Sequence, residues 1–141
     1  MLVSEVMSAD VMCISPEESV AMAAKMLARS DVGVLPVCAS GARLKGMLTD
    51  RDIVLRCVAP GSDPEKLTAG EIMSRVTASA SPTDEVETAV KLMSDRQLRR
   101  LPVVSDGRVV GMLSLGDIVR RGFVMEASMA LGLISSRVRR L

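Results

Sequence analysis

Apolar and polar positions run through the same order twice along this chain. In the first half, Val11 to Ser15 has strand character and is closed by Pro16, which suits the first turn of a helix better than a strand ladder. From about Glu17 to Ser30 the apolar residues Val20, Ala23, Ala24 and Leu27 recur at helical spacing, with Glu17 and Glu18 in front and Arg29 behind to suit the helix dipole. Val34 to Cys38 and Leu44 to Leu48 are apolar runs parted by Ser40-Gly41-Ala42, as in a hairpin, and Asp50 to Val58 reads as a second helix. In the second half Val86, Ala89, Val90 and Met93 repeat the helical stripe, Val103-Val104 and Val109 to Leu113 flank Ser105-Asp106-Gly107, and Gly116 to Val124 reads as a helix. The expected unit is β-α-β-β-α, twice. The fold class is α/β (α+β), two such repeats packed in pseudo-two-fold symmetry around a cleft.

The repetition extends to single residues. Met7-Ser8, Pro16 and Pro36 return as Met73-Ser74, Pro82 and Pro102, a constant offset of 66 that becomes 65 at Gly46 and Gly111, so the second copy lacks one residue between Cys38 and Gly46. The turn-forming stretch Ala59 to Lys66 is a short linker. The expected boundaries are repeat one at 1–58, linker at 59–66, repeat two at 67–122 and a C-terminal helix at 123–141. Either half alone is marginal in size, so a single shared core is expected. In the last segment Met125, Met129, Leu133 and Ile134 lie at helical spacing. Such a stripe needs a partner surface, supplied by this module or by a second copy.

Composition narrows the function. With 48% hydrophobic and 25% charged residues in 141, the chain reads as globular; its net charge is +1 without a long run of one sign, which argues against a nucleic-acid binder. Arg137, Arg139 and Arg140 form the sole basic cluster. No apolar run reaches the about 18 residues of a membrane span, and the N-terminus has no signal-peptide pattern, so no membrane partner and a cytoplasmic location are expected. Histidine is absent, which removes imidazole acid/base chemistry. Cys13, Cys38 and Cys57 are widely spaced without a C-x-x-C pair and read as small buried residues, with Cys13 also a candidate redox thiol or metal ligand.

One block carries candidate chemistry: Gly46-Met47-Leu48-Thr49-Asp50-Arg51-Asp52, returning as Gly111-Met112-Leu113-Ser114-Leu115-Gly116-Asp117. A strand ends in a hydroxyl, and a carboxylate follows three residues on, in the first turn of a helix. Such a carboxylate can accept both hydrogen bonds of a ribose diol, and the hydroxyl with the helix start favours a phosphate or sugar oxygen. The alternative is that Thr49 and Asp52 merely cap their helix.

These blocks, the Ser-Pro openings and the Leu35-Pro36-Val37 and Leu101-Pro102-Val103 strands make the chain resemble a tandem pair of CBS domains, a Bateman module, of the small stand-alone bacterial type, over about residues 2 to 122. The resemblance implies adenosine-containing ligands in two clefts, each drawing on both copies. In one, Met47, Thr49 and Asp52 would face Arg75, Val76, Leu98 and Arg99. In the other, Met112, Ser114 and Asp117 would face Ala9, Val32 and Gly33. Arg99 and Arg100 match positions where family members direct basic groups at phosphates, while Arg51 and Gly116 depart from the small hydroxyl residue common in nucleotide-binding members. With Phe123 the sole aromatic, a purine would lie against aliphatic side chains.

The expected function is a regulatory, non-catalytic ligand-sensing module for AMP, ADP, ATP, NAD or S-adenosylmethionine, with no catalytic residues, no resident cofactor and no metal. Its expected partners are a second copy, in a homodimer, and a regulated protein acting in trans. A dimeric scaffold without a soluble nucleotide is the alternative. An enzyme has little to stand on here, since no nucleophile lies beside a base and no phosphate loop occurs.

Overall fold

The computed structural model describes residues 1–136; the basic cluster at Arg137, Arg139 and Arg140 lies outside the described residues. The chain forms two compact units, one continuous (Met12–Val76), the other made of Met1–Val11 and the chain from Thr77 onward.

In the continuous unit, helix α2 (Val20–Ser30) is capped by Ser19, whose hydroxyl accepts from the Met22 amide, and ends at Asp31 in the left-handed conformation. Strands β1 (Val34–Ala39) and β2 (Arg43–Thr49) pair antiparallel, and α3 (Asp50–Ile53) runs on into a π-helical turn at Val54–Val58. A short helix, α4 (Ala69–Ile72), closes the unit. The other unit repeats the scheme: α1 (Val3–Val6), α5 (Val86–Arg96), β3 (Arg100–Ser105) paired antiparallel with β4 (Arg108–Ser114), α6 (Leu115–Arg120) and α7 (Val124–Ser135).

Both hairpins carry a bulge at the same place, between Val37 and Cys38 and between Val103 and Val104. Their turns differ by the missing residue. Ser40–Ala42 is a three-residue 3-10 turn, whereas Asp106 and Gly107 (φ 52° and 76°) make a two-residue turn whose twist matches the strands it joins.

Several expected elements are displaced. The first strand of each repeat is one parallel bridge, Ile14 to Val37 and Ala80 to Val103, because the segment touches its hairpin over one residue before turning away. The helix expected from Glu17 begins at Val20. The Pro16 and Glu18 carbonyls instead accept the amides of Gly70 and Ala69, and the amides of Val20 and Ala21 are satisfied by the Leu67 and Pro64 carbonyls. The helix expected at Gly116 to Val124 is two, α6 and α7, parted at Gly122 (φ 97°).

Each short leading helix packs beneath the hairpin of the other sequence repeat. Val3 and Ser4 of α1 donate to the carbonyls of Asp84 and Pro82, and Ser8 exchanges two backbone bonds with Met112 of β4 (2.8 and 2.9 Å). Correspondingly, Ser74, after α4, exchanges two with Met47 of β2 (2.7 and 2.9 Å). A Cβ at Gly46 would lie 2.9 Å from the Ser74 carbonyl oxygen, and one at Gly111 equally close to that of Ser8, so both blocks open with glycine to admit the neighbouring chain.

The expectation of one shared core is corrected. Buried apolar side chains form one cluster around Val20, Ala23, Leu35, Val37, Leu48, Cys57 and Ile72, and another around Val3, Val86, Met93, Leu101, Val103, Leu113 and Ile118. A single β-α-β-β-α repeat would leave one face of its hairpin bare, and the exchanged leading helix covers it, with Val3 fully buried in one unit and Ala69 in the other. Helix α7 joins the discontinuous core through Ala127 and Ala130. Of the expected stripe only Ile134 is buried; Met125, Met129 and Leu133 face outward. Alanine makes this contact because its short side chain lets the helix approach closely.

Candidate ligand site

Each block sits where a strand gives way to a helix, and the capping chemistry is the same in both. The Thr49 hydroxyl accepts from the Asp52 amide while the Asp52 carboxylate accepts from the Thr49 amide, both at 3.0 Å. Ser114 and Asp117 make the same reciprocal pair at 3.1 and 2.9 Å. This capping box uses hydroxyl and carboxylate together, so it accounts for both residue types in both copies without a ligand.

Each carboxylate keeps a second oxygen for other partners. In the continuous unit, Asp52 Oδ1 accepts from the Ser74 hydroxyl at 3.0 Å and lies 3.8 Å from the Arg56 guanidinium, which also donates to the Ile72 and Met73 carbonyls. Asp52 is 7% exposed. Met47, Thr49 and Asp52 are thus brought to the strand edge occupied by Ser74, immediately before exposed Arg75 and half-buried Val76. In this unit Gly33 accepts the Asp50 amide at 3.0 Å, and Val32 beside it is exposed.

In the discontinuous unit, Asp117 Oδ1 accepts from the Arg120 guanidinium one turn along α6. Met112 lies against Ser8, next to exposed Ala9, and Leu98 packs half-buried against the core. Arg99 takes the position of Gly33, its carbonyl accepting the Leu115 amide at 3.1 Å. Around that point opens a pocket of about 510 Å3 lined by Arg99, Arg100, Ser114, Leu115, Gly116, Val119 and Arg120, with Ala127, Ser128 and Leu131 of α7 on its other wall. Arg99, expected opposite Met47, Thr49 and Asp52, instead shares this pocket with Arg100 and with Ser114, itself expected opposite Ala9, Val32 and Gly33. The reason is that the Arg99 carbonyl is bonded to the start of α6, directly after Ser114. Most of its lining, including Arg99, Arg100, Gly116 and Arg120, is exposed, so it is an open depression in which a ligand would keep one side in water. Three guanidiniums against the single carboxylate of Asp117 favour an anion there.

Sequence reasoning missed Ser74, Arg120 and Ser128. The twofold Met-Ser dipeptide held a signal for Ser74, and the three-residue spacing from Asp117 one for Arg120. Nothing in the chain's pattern marks Ser128, which the packing of α7 brings in.

Hairpins with a shared bulge, hydroxyl-carboxylate caps and an exchanged leading helix define a class in which two copies of one small unit are built from a single chain. The chain belongs to the CBS-domain family, whose pattern matches residues 3–58 and again 69–123. It is 38% identical over 116 residues to hypoxic response protein 1 of Mycobacterium tuberculosis, covering 82% of this chain and 81% of that one. It is also 40% identical over 116 residues to the CBS domain-containing protein YhcV of Bacillus subtilis, with the same coverage of each. A crystal structure of hypoxic response protein 1 with two coordinated zinc ions superposes with a TM-score of 0.78 at 37% identity, covering 85% of this chain and 98% of that one. A hexameric CBS-CP12 protein from bloom-forming cyanobacteria superposes with a TM-score of 0.75 at 28% identity, over 89% and 73%.

Proposed function

We propose that this chain is a regulatory, non-catalytic ligand-sensing module of the cytoplasm that binds adenine nucleotides. The observation that carries this reading is the pocket holding Arg99, Arg100 and Arg120 around Ser114. Guanidiniums and a hydroxyl suit phosphate oxygens, and Asp117 beside them suits a ribose diol once Arg120 turns from the carboxylate to the phosphate. The charge favours AMP, ADP or ATP over the cationic S-adenosylmethionine. A second site would be centred on Met47, Thr49 and Asp52 with Arg75 and Val76, a ribose hydroxyl replacing that of Ser74 on Asp52. Within their own units, Ala9 and Leu98 would extend the first site and Val32 and Gly33 the second. Ligand binding would shift the module between two arrangements by its differential affinity for them, and a partner protein acting in trans would read the change. The module would work as a homodimer through the outward face of α7. No helix of the described residues is long and apolar enough to cross a membrane.

Calorimetric titration of nucleotide-stripped protein with AMP, ATP and S-adenosylmethionine tests the reading. Saturable binding of AMP or ATP is expected, weakened about ten- to a hundredfold by Arg99→Ala, with adenosine much less affected. The capping boxes and the occupied second oxygens of Asp52 and Asp117 favour the alternative, a scaffold whose carboxylates are purely structural. Binding of none of the three compounds would establish it.

A further inference from the structure

Cys13 and Cys38 are both free thiols, and their sulfurs lie 3.0 Å apart. The backbone holds them there. Ile14 donates to the Pro36 carbonyl at 3.0 Å and accepts from the Cys38 amide at 2.9 Å, so the segment bearing Cys13 is pinned beside the β1 bulge that carries Cys38. A disulfide needs about 2.05 Å between sulfurs, and a turn of side-chain dihedrals closes the difference of about 1 Å.

The second repeat is an internal control. There Ala80 donates to Pro102 at 3.0 Å and accepts from Val104 at 2.8 Å, reproducing the frame, yet the two positions corresponding to the cysteines are Ser79 and Val104. The frame therefore folds without thiols, and packing alone gives no reason for sulfur at both places in repeat one. Metal binding fits poorly. The chain has no histidine, and no group of three or more metal-ligating side chains occurs among the described residues.

We propose that Cys13 and Cys38 form a reversible intramolecular disulfide, making the continuous unit sensitive to hydroperoxides. Cys38 is buried and Cys13 half-buried, so an oxidant reaches Cys13 first. The Cys13 thiolate attacks one oxygen of hydrogen peroxide, the O–O bond breaks, and the departing hydroxide takes up a proton as water, leaving a sulfenic acid. The Cys38 sulfur then attacks the Cys13 sulfur; the S–S bond forms, the S–O bond breaks, and the hydroxyl leaves as water with the Cys38 proton. Two thiols lose two electrons and two protons, and peroxide becomes two waters. A dithiol reductant reverses the process by exchange.

The bond closes a ring carrying the whole of α2 and joins it to β1. Full-length protein is exposed to graded hydrogen peroxide, its remaining thiols are alkylated after unfolding, and its peptides are mapped without reduction. The expected result is a linked peptide pair joining Cys13 to Cys38 within one chain, an intact mass lower by two hydrogens and Cys57 still alkylated. The melting temperature should rise by about 10 °C and return on adding dithiothreitol. Cys13→Ser and Cys38→Val, which install the residues of the second repeat, should abolish the shift, and Cys57→Ala should keep it. Three alkylated cysteines after oxidation, over-oxidation of Cys13 without linkage, or a bond between chains would each overturn the proposal. If Cys38→Val fails to fold, Cys13→Ser alone still decides, because the partner thiol then has nothing to join.

Discussion

Asp52 makes three kinds of contact at once: it caps α3 through the Thr49 amide, accepts the Ser74 hydroxyl and faces Arg56. Asp52→Ala should therefore lower stability in urea unfolding by about 1–3 kcal/mol, through the lost cap and the stranded Ser74 hydroxyl. It should also weaken nucleotide binding at its own site about ten- to a hundredfold, and a stability loss with unchanged affinity and stoichiometry would mark the carboxylate as purely structural. Cys38 sets a pH dependence. Burial, and then its hydrogen bond to Cys13, push its thiol from 9.0 up to about 12. In that range the folded state holds a proton that the unfolded state has released, so this contribution is complete below pH 9 and lost as pH rises toward 12. Denaturant unfolding of wild type should show a steeper loss across that window than Cys38→Val. The sequence showed the hydroxyl-carboxylate pairing at this scale but could not separate ribose binding from capping, because both need the same two groups at the same spacing.

At the scale of elements, periodicity located α2, α5 and both hairpins, since a helix or hairpin with one buried face must display that face in its sequence. It placed the start of α2 too early. Glu17 and Glu18 suit a first turn, yet the amides at the true start are claimed by tertiary partners in the segment 64–67. Of the two partners open to the stripe on α7, this module receives only Ile134. Large apolar side chains dominated the reading, whereas Ala127 and Ala130 make the contact and Met125 remains 73% and Met129 66% exposed. Such an outward apolar face needs cover. If the proposed homodimer forms through this face, Met125→Glu with Met129→Glu should give a monomer in sedimentation whose far-ultraviolet circular dichroism matches wild type, since neither side chain is buried in its own core. A dimer that persists would place the interface elsewhere.

For the molecule as a whole, the chain enters one unit, leaves it at Val11 and returns at Thr77. Repeats in sequence and units in space are thus offset by their leading segments. A chain beginning at Ala9 should lose protection from hydrogen exchange in β3 and β4, because Val3 and Val6 leave the discontinuous core at a loss of about 3–6 kcal/mol, while β1 and β2 keep theirs. Equal loss in both hairpins would show that the units do not open separately. By itself the sequence determined that there are two copies, which helices and hairpins compose them, and which hydroxyls, carboxylates and arginines carry candidate chemistry, because these are local patterns of period, turn and cap. Only the tertiary structure decided which copy each leading helix serves, that Arg120 and Ser128 join Arg99 in one pocket, and that two distant thiols meet. The two copies are so alike that either hairpin offers a leading helix the same glycine-opened edge, and chain connectivity and packing settle which one receives it.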